Sequence, residues 1–163
     1  LVLSQGKKEV TVAQEIELVS RYLQIQKMRF SRRLHYEINV ADEVKSAYIP
    51  KLILQPFVEN AIVHGFENVS IPCYLTVTGS LDKGKIRFEI KDTGIGMRQD
   101  QIDDIWEEEP AQYARQRIGR YAIKNIKERL ELRYHGDFEL EIQSDVGKGT
   151  TVILCIPFEK PLH

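Results

Sequence analysis

Three short stretches carry residue types able to do chemistry. In "KDTGIGM" (91–97) the carboxylate of Asp92 is followed by glycines at 94 and 96. Two readings fit: an ordinary Asp-Thr-Gly turn, or a ligand site that needs both a carboxylate and a close backbone approach. "VENAIVHG" (58–65) holds the amide of Asn60 between Glu59 and a later His64. Asn60 is either a surface or capping amide or an oxygen donor to a ligand. Neighbours on a helix diverge by about 100°, so Glu59 and Asn60 do not share a face. "GKGTTV" (147–152), with Thr150, reads on its own as a hairpin turn. Each signal is weak alone. Their order along the chain, with a long polar connection and a helix between the second and third, favours the ligand reading.

The elements that must position these residues follow from periodicity. Residues 11–29 read as a helix capped by Thr11, with Gln14 completing a capping box. Val12, Ile16, Val19 and Leu23 form an apolar stripe, widened by Tyr22, Ile25 and Met28. Such a helix either packs on the domain or pairs with another helix. "RLHYEINV" (33–40) alternates as a strand. Pro50 and Pro56 each suit a helix start, predicting a short helical turn after Pro50 and a helix from about Gln55 to His64 that Gly65 stops. "CYLTVTGSL" and "KIRFEIKD", joined by "DKG", form a hairpin. Residues 97–118 read as a lid with one helical patch at Ile102–Trp106. Residues 119–136 form a helix with Ile123, Ile126, Leu130 and Tyr134 inward and Gly136 at its end, and a second hairpin closes the chain. The expected fold is α+β: a two-layer α/β sandwich with a mostly antiparallel sheet of about five strands and helices on one face, after a long N-terminal helix.

Composition narrows the class. The 163 residues suffice for one domain with a real core. A formal net charge of -1 supplies no basic field, so no nucleic-acid partner is expected. Cys73 and Cys155 lie in apolar runs without a metal-spaced partner and read as reduced thiols. No apolar run approaches the roughly 20 residues that span a bilayer. The abrupt start at Leu1 suggests a fragment of a longer chain.

The motif order resembles the ATP-binding domain of sensor histidine kinases, in the superfamily shared with gyrase, Hsp90 and MutL. "VTVAQEIELVSRYLQIQKMRF", "IPKLILQPFVENAIVHG", "NIKERL" and "GKGTTVILCIP" are more narrowly similar to the LytS/YesM type. The resemblance implies a Bergerat fold that binds ATP with Mg²⁺. It implies a division into residues 1–31, the end of a dimerisation and phosphoacceptor region, and 32–163, the catalytic domain. Asn60 would be the Mg²⁺ ligand, which suits an ion that prefers oxygen and keeps several waters. Asp92 would accept from the adenine amine. Gly94, Gly96, Gly119 and Thr150 would line the nucleotide, with the start of the 119–134 helix offering N–H groups to phosphate. Glu59 and His64 are candidate catalytic residues, against plainer readings as a helix-surface acid and a helix C-terminal cap. Partners implied are ATP or ADP, a response regulator and a second copy joined through the N-terminal helices. The location implied is the cytoplasmic part of a bacterial inner-membrane protein.

Departures qualify this. Hydrolysing superfamily members place a water-activating Glu four residues before the Asn, where this chain has Pro56, so phosphoryl transfer is expected instead of free hydrolysis. Two glycines of the family's "GIGL" are replaced in Arg120-Tyr121-Ala122-Ile123, with Gly119 one place earlier. Arg117 and Arg120 are either phosphate clamps or solvated lid charges. Many relatives carry Lys at the position of Val63. "DDIWEEE" (103–109) reads as a solvated lid face and Trp106 as a lid anchor or plain packing. None of His35, His64, His135 and His163 stands in the family's phosphoacceptor context, so that residue is expected upstream of Leu1, and the chain alone is not expected to phosphorylate itself. The alternatives are a degenerate nucleotide-binding or dimerisation module, and an ATP-driven conformational switch.

Overall fold

The computed structural model describes residues 8–66, 70–106 and 118–160, with the backbone alone at 118–122. After β1 (Glu9–Thr11), the expected capping box opens α1 (Val12–Phe30). The Thr11 hydroxyl accepts the Gln14 N–H at 3.2 Å, and the Gln14 side chain accepts the Thr11 N–H at 2.9 Å. Val12, Val19 and Leu23 are buried, with Ile16 and Tyr22 packed at the margin. Ile25 and Met28 do not widen this stripe. They are 62% and 84% exposed, because 100° per residue turns them well away from Leu23. With Leu18 they make a second, open apolar face.

β2 (Leu34–Val40) is followed by β3 (Tyr48–Pro50), which pairs with β1 in a small antiparallel sheet. The helical turn expected after Pro50 is therefore absent. Residues 51–54 form a turn and bend, and the N–H groups of Leu52 and Leu54 go to the Glu15 carboxylate, not to helical carbonyls. α2 (Gln55–Asn60) carries Pro56 in its first turn, as expected. Gly65 does not stop it. The chain widens into a π-helical turn over Ala61–Phe66, inside which Gly65 is buried as a contact point for another segment.

β4 (Cys73–Asp82) and β5 (Lys85–Asp92) form the predicted hairpin. Its loop residues Lys83 and Gly84 both have positive φ, 53° and 81°, which matches the right-handed strand twist. α3 (Gln99–Trp106), α4 (Ile118–Tyr134), β6 (Glu139–Asp145) and β7 (Gly149–Pro157) complete the order. The five-stranded sheet runs β2-β4-β5-β7-β6. The β2–β4 pair is parallel and the remaining pairs are antiparallel. Leu75, Val77, Ile86, Phe88, Ile90, Leu154 and Ile156 from the sheet join Phe57, Val58, Ile123, Ile126 and Leu130 from the helices in one core. This is the expected two-layer sandwich. Cys73 and Cys155 are free thiols, and burial raises both pKa values.

Candidate functional site

Asp92 is buried because of strand period. Ile86, Phe88 and Ile90 point into the core, and Asp92 takes the next inward position. Only 5% of it is exposed. Its Oδ1 accepts the Gly94 N–H at 2.8 Å and, across the sheet, the Thr150 N–H at 3.3 Å. Oδ2 receives no hydrogen bond among the described residues. Burial pushes the carboxyl up from 3.8 to about 6, against the Gly94 and Thr150 N–H groups, which lower it. A donor at Oδ2 would stabilise the ionised form.

Both glycines of the G-x-G have a steric reason. A Cβ on Gly94 would stand 2.6 Å from the Gly65 Cα and 2.7 Å from its carbonyl oxygen. Ile95 N–H then bonds that carbonyl at 3.1 Å, which ties the segment after β5 to the π turn that follows α2. Gly96 has φ 73°, and a Cβ there would lie 2.0 Å from the Asp145 carbonyl. Gly149, with φ 90°, meets the Asp92 carbonyl in the same way at 2.0 Å.

Ser144, which sequence reasoning missed, links these pieces. Its hydroxyl accepts the Met97 N–H at 2.8 Å, donates to the Gly149 carbonyl at 2.9 Å and lies 2.8 Å from the Thr150 hydroxyl. With the Ser144 proton on the Gly149 carbonyl, the Thr150 hydroxyl is the donor of that pair, and its oxygen accepts no hydrogen bond among the described residues. The register Ser144 opposite Thr150 opposite Asp92 was the available signal, since both hairpins were predicted.

Asn60 ends α2, half-buried, and its side chain makes no hydrogen bond among the described residues. Glu59 is turned along its own helix, accepting from the Gln55 amide at 3.0 Å. His64 is exposed on the π turn, and no hydrogen bond joins it to Glu59. Gly119 sits in the first turn of α4, where only the backbone is described. Arg117, the side chain of Arg120 and residues 107–109 of the acidic run lie outside the described residues, as does His163. α3 seats Ile102 and Ile105 in the protein, and Lys127 of α4 stands 5.1 Å from the centre of the Trp106 ring, so Trp106 docks α3 on α4. Among the described residues no group of three His, Cys, Asp or Glu side chains could hold a metal.

Fold and site together define a two-layer α/β domain that presents a buried acceptor carboxylate at a sheet end, beside a helix bearing an open amide. Residues 48–160 match the family of histidine kinase-, DNA gyrase B- and HSP90-like ATPases, and residues 1–34 match the histidine kinase family. The chain belongs to the histidine kinase-, DNA gyrase B- and HSP90-like ATPase family. It is 34% identical over 152 residues to the sensor histidine kinase YesM of Bacillus subtilis, covering 93% of this chain and 24% of that protein. It is 30% identical over 155 residues to the sensor protein LytS of Bacillus anthracis, covering 94% and 26%. The chain thus spans about a quarter of the length of these relatives. The structure of full-length ShkA in complex with AMPPNP superposes with a TM-score of 0.69 at 18% identity, over 94% of this chain and 31% of that one, a likeness of fold. No described helix is long and apolar enough to cross a membrane.

Proposed function

We propose that this chain is the ATP-binding catalytic region of a sensor histidine kinase. It would pass the γ-phosphoryl of Mg·ATP to a histidine outside this chain, and thence to an aspartate of a response regulator. One observation carries the reading: a buried carboxylate with one oxygen open among the described residues, paired in register with a threonine whose hydroxyl oxygen accepts nothing from them. Adenine's exocyclic amine is a donor that fits Oδ2 of Asp92, and a water or ring nitrogen fits Thr150. Gly94 and Gly96 hold the adenine segment against the π turn after α2 and the end of β6, and the start of α4 around Gly119 would offer N–H groups to phosphate.

The open amide of Asn60 fits a hard cation that takes oxygen ligands and keeps several waters. When bound, Mg²⁺ neutralises and bridges the phosphates. Asn60 would supply one oxygen, and catalysis would consist of positioning and charge neutralisation, not covalent work. Glu59, held by Gln55, would orient a water or the incoming imidazole, and the exposed His64 would reach a phosphate. Support for a homodimer built through residues 1–31 comes from the open face Leu18, Ile25 and Met28. The YesM and LytS relatives are sensors, which supports placing this domain, 32–163, on the cytoplasmic side of an inner-membrane protein.

The test is calorimetric titration with ATP and ADP in Mg²⁺. Wild type should bind, and Asp92→Ala should not. A wild type that fails to bind would support the degenerate-module reading and end this one.

A further inference from the structure

Asp92 has a buried counterpart that the nucleotide site does not use. Glu15 of α1 is fully buried, in the middle of the stripe that packs on the domain. Among the described residues it has no cation partner, and both oxygens are spent on backbone. Oε1 accepts the Leu52 N–H at 2.8 Å, and Oε2 accepts the Leu54 and Gln55 N–H groups at 3.0 and 3.3 Å. These are donors at the start of α2, a helix whose own N-cap, Leu54, makes no side-chain cap. The cap is delivered from another helix.

The same turn is gripped from the opposite side. Arg129 of α4 donates to the Leu52 carbonyl at 3.2 Å and to the Lys51 carbonyl. Between the two grips Leu52 holds φ 58°, a left-handed conformation that a leucine keeps only when its surroundings determine it. A carboxylate from α1 and a guanidinium from α4 supply those surroundings. At its far end the same helical segment is fixed separately, by Gly65 against Gly94 and Ile95. Asn60 lies midway, about 7.5 Å along the axis from Gln55.

We propose that Glu15 is a positioning residue for the metal–phosphate half of the site: it sets where Asn60 stands, while the adenine half is set by Asp92, Gly94 and Thr150. The inference rests on the ATP reading above. Glu15→Gln tests it, because a carboxamide has one acceptor oxygen and must turn an NH₂ toward at least one of the three backbone donors. ADP affinity is measured by calorimetry for wild type and variant, each in Mg²⁺ and in EDTA. The gain in affinity that Mg²⁺ confers on wild type should fall about tenfold in the variant, the size typical when the support of a metal ligand is removed. Affinity in EDTA should be unchanged. Equal losses in both buffers, or none in either, overturn the proposal, since a merely structural role would move both together or neither.

If Glu15→Gln does not fold, Arg129→Gln releases the other grip and is titrated identically. Here too the Mg²⁺-dependent gain must shrink selectively, and an unselective result overturns the proposal. Failure of the wild type to bind ADP refutes the ATP reading and this inference with it. A wild type that binds beside a Glu15→Gln variant that binds equally refutes this inference alone.

Discussion

Replacing Asp92 by Asn should make the protein more stable and useless for nucleotide. The carboxyl is raised from 3.8 to about 6 by burial, a displacement of about 2 pH units, and each unit corresponds to about 1.36 kcal/mol. The ionised side chain therefore lowers the stability of the ligand-free fold by roughly 3 kcal/mol at neutral pH. The sign follows from proton counting. Between about pH 4 and pH 6 the folded state holds a proton at Asp92 that the unfolded chain has released, so stability falls as pH rises through that window. Below it both states are protonated and the burden vanishes. Asn resembles the protonated acid, and its Oδ1 can keep the Gly94 and Thr150 N–H bonds. Urea unfolding at pH 7.5 should show Asp92→Asn more stable by up to about 3 kcal/mol, with Tm higher by roughly 6–12 °C. At pH 4 the two proteins should be nearly equal. In the same preparation ATP binding should disappear, because the amide NH₂ meets the adenine amine donor to donor. A variant less stable than wild type at pH 7.5, or a difference that is the same at both pH values, refutes the reasoning.

Four further outcomes can be checked. Wild-type affinity for ADP, measured by calorimetry across pH 5–8, should rise through about pH 6 and level off above it, because a donor ligand prefers the ionised Asp92; a flat profile would contradict this. Gly94→Ala forces a Cβ to within 2.6 Å of the Gly65 backbone and should lower unfolding stability by about 1–3 kcal/mol, with loss of ADP binding, whereas Gly84→Ala, with open space around it, should pay only the positive-φ strain and keep binding. Asn60→Ala should bind ATP in Mg²⁺ no better than wild type does in EDTA, so that chelation has no further effect on the variant; residual Mg²⁺ dependence would move the metal ligand elsewhere. Thr11→Ala removes the hydroxyl that accepts the Gln14 N–H, leaving the backbone half of the capping box in place, and should lower stability by about 1 kcal/mol in urea unfolding, with ADP affinity unchanged.

Most of the fold was legible because its signals are local. The capping box of α1, the α4 stripe and the hairpin glycines each rest on residues a few positions apart. What sequence reasoning missed depends on distant contacts. β1 and β3 have three residues each, too few to show a period. Gly65 looks like a helix stop until Gly94 is seen lying against it. The two buried carboxylates share one lesson. Asp92 occupies the slot after Ile86, Phe88 and Ile90 in a strand of period two, and Glu15 occupies a slot between Val12 and Val19 on a helical stripe. In both, the period asks for an apolar residue and an acid is found. Sequence reasoning singled out Asp92 for its glycines and passed over Glu15. The backbone groups that satisfy Glu15 could not be read from its surroundings in the chain, because they lie 37 to 40 residues away.

The two apolar faces of α1 bear on how a torque on that helix would be resisted. A helix with a single sticky side can roll in its seat. This one has Val12, Val19 and Leu23 locked beneath it and Leu18, Ile25 and Met28 turned outward, with a buried carboxylate pinned between three amides. A quarter-turn about its axis would drag that charge out of its hydrogen bonds and strip the core side bare. Rolling of α1 against the sandwich is therefore opposed twice, by its buried apolar side chains and by the three hydrogen bonds of Glu15.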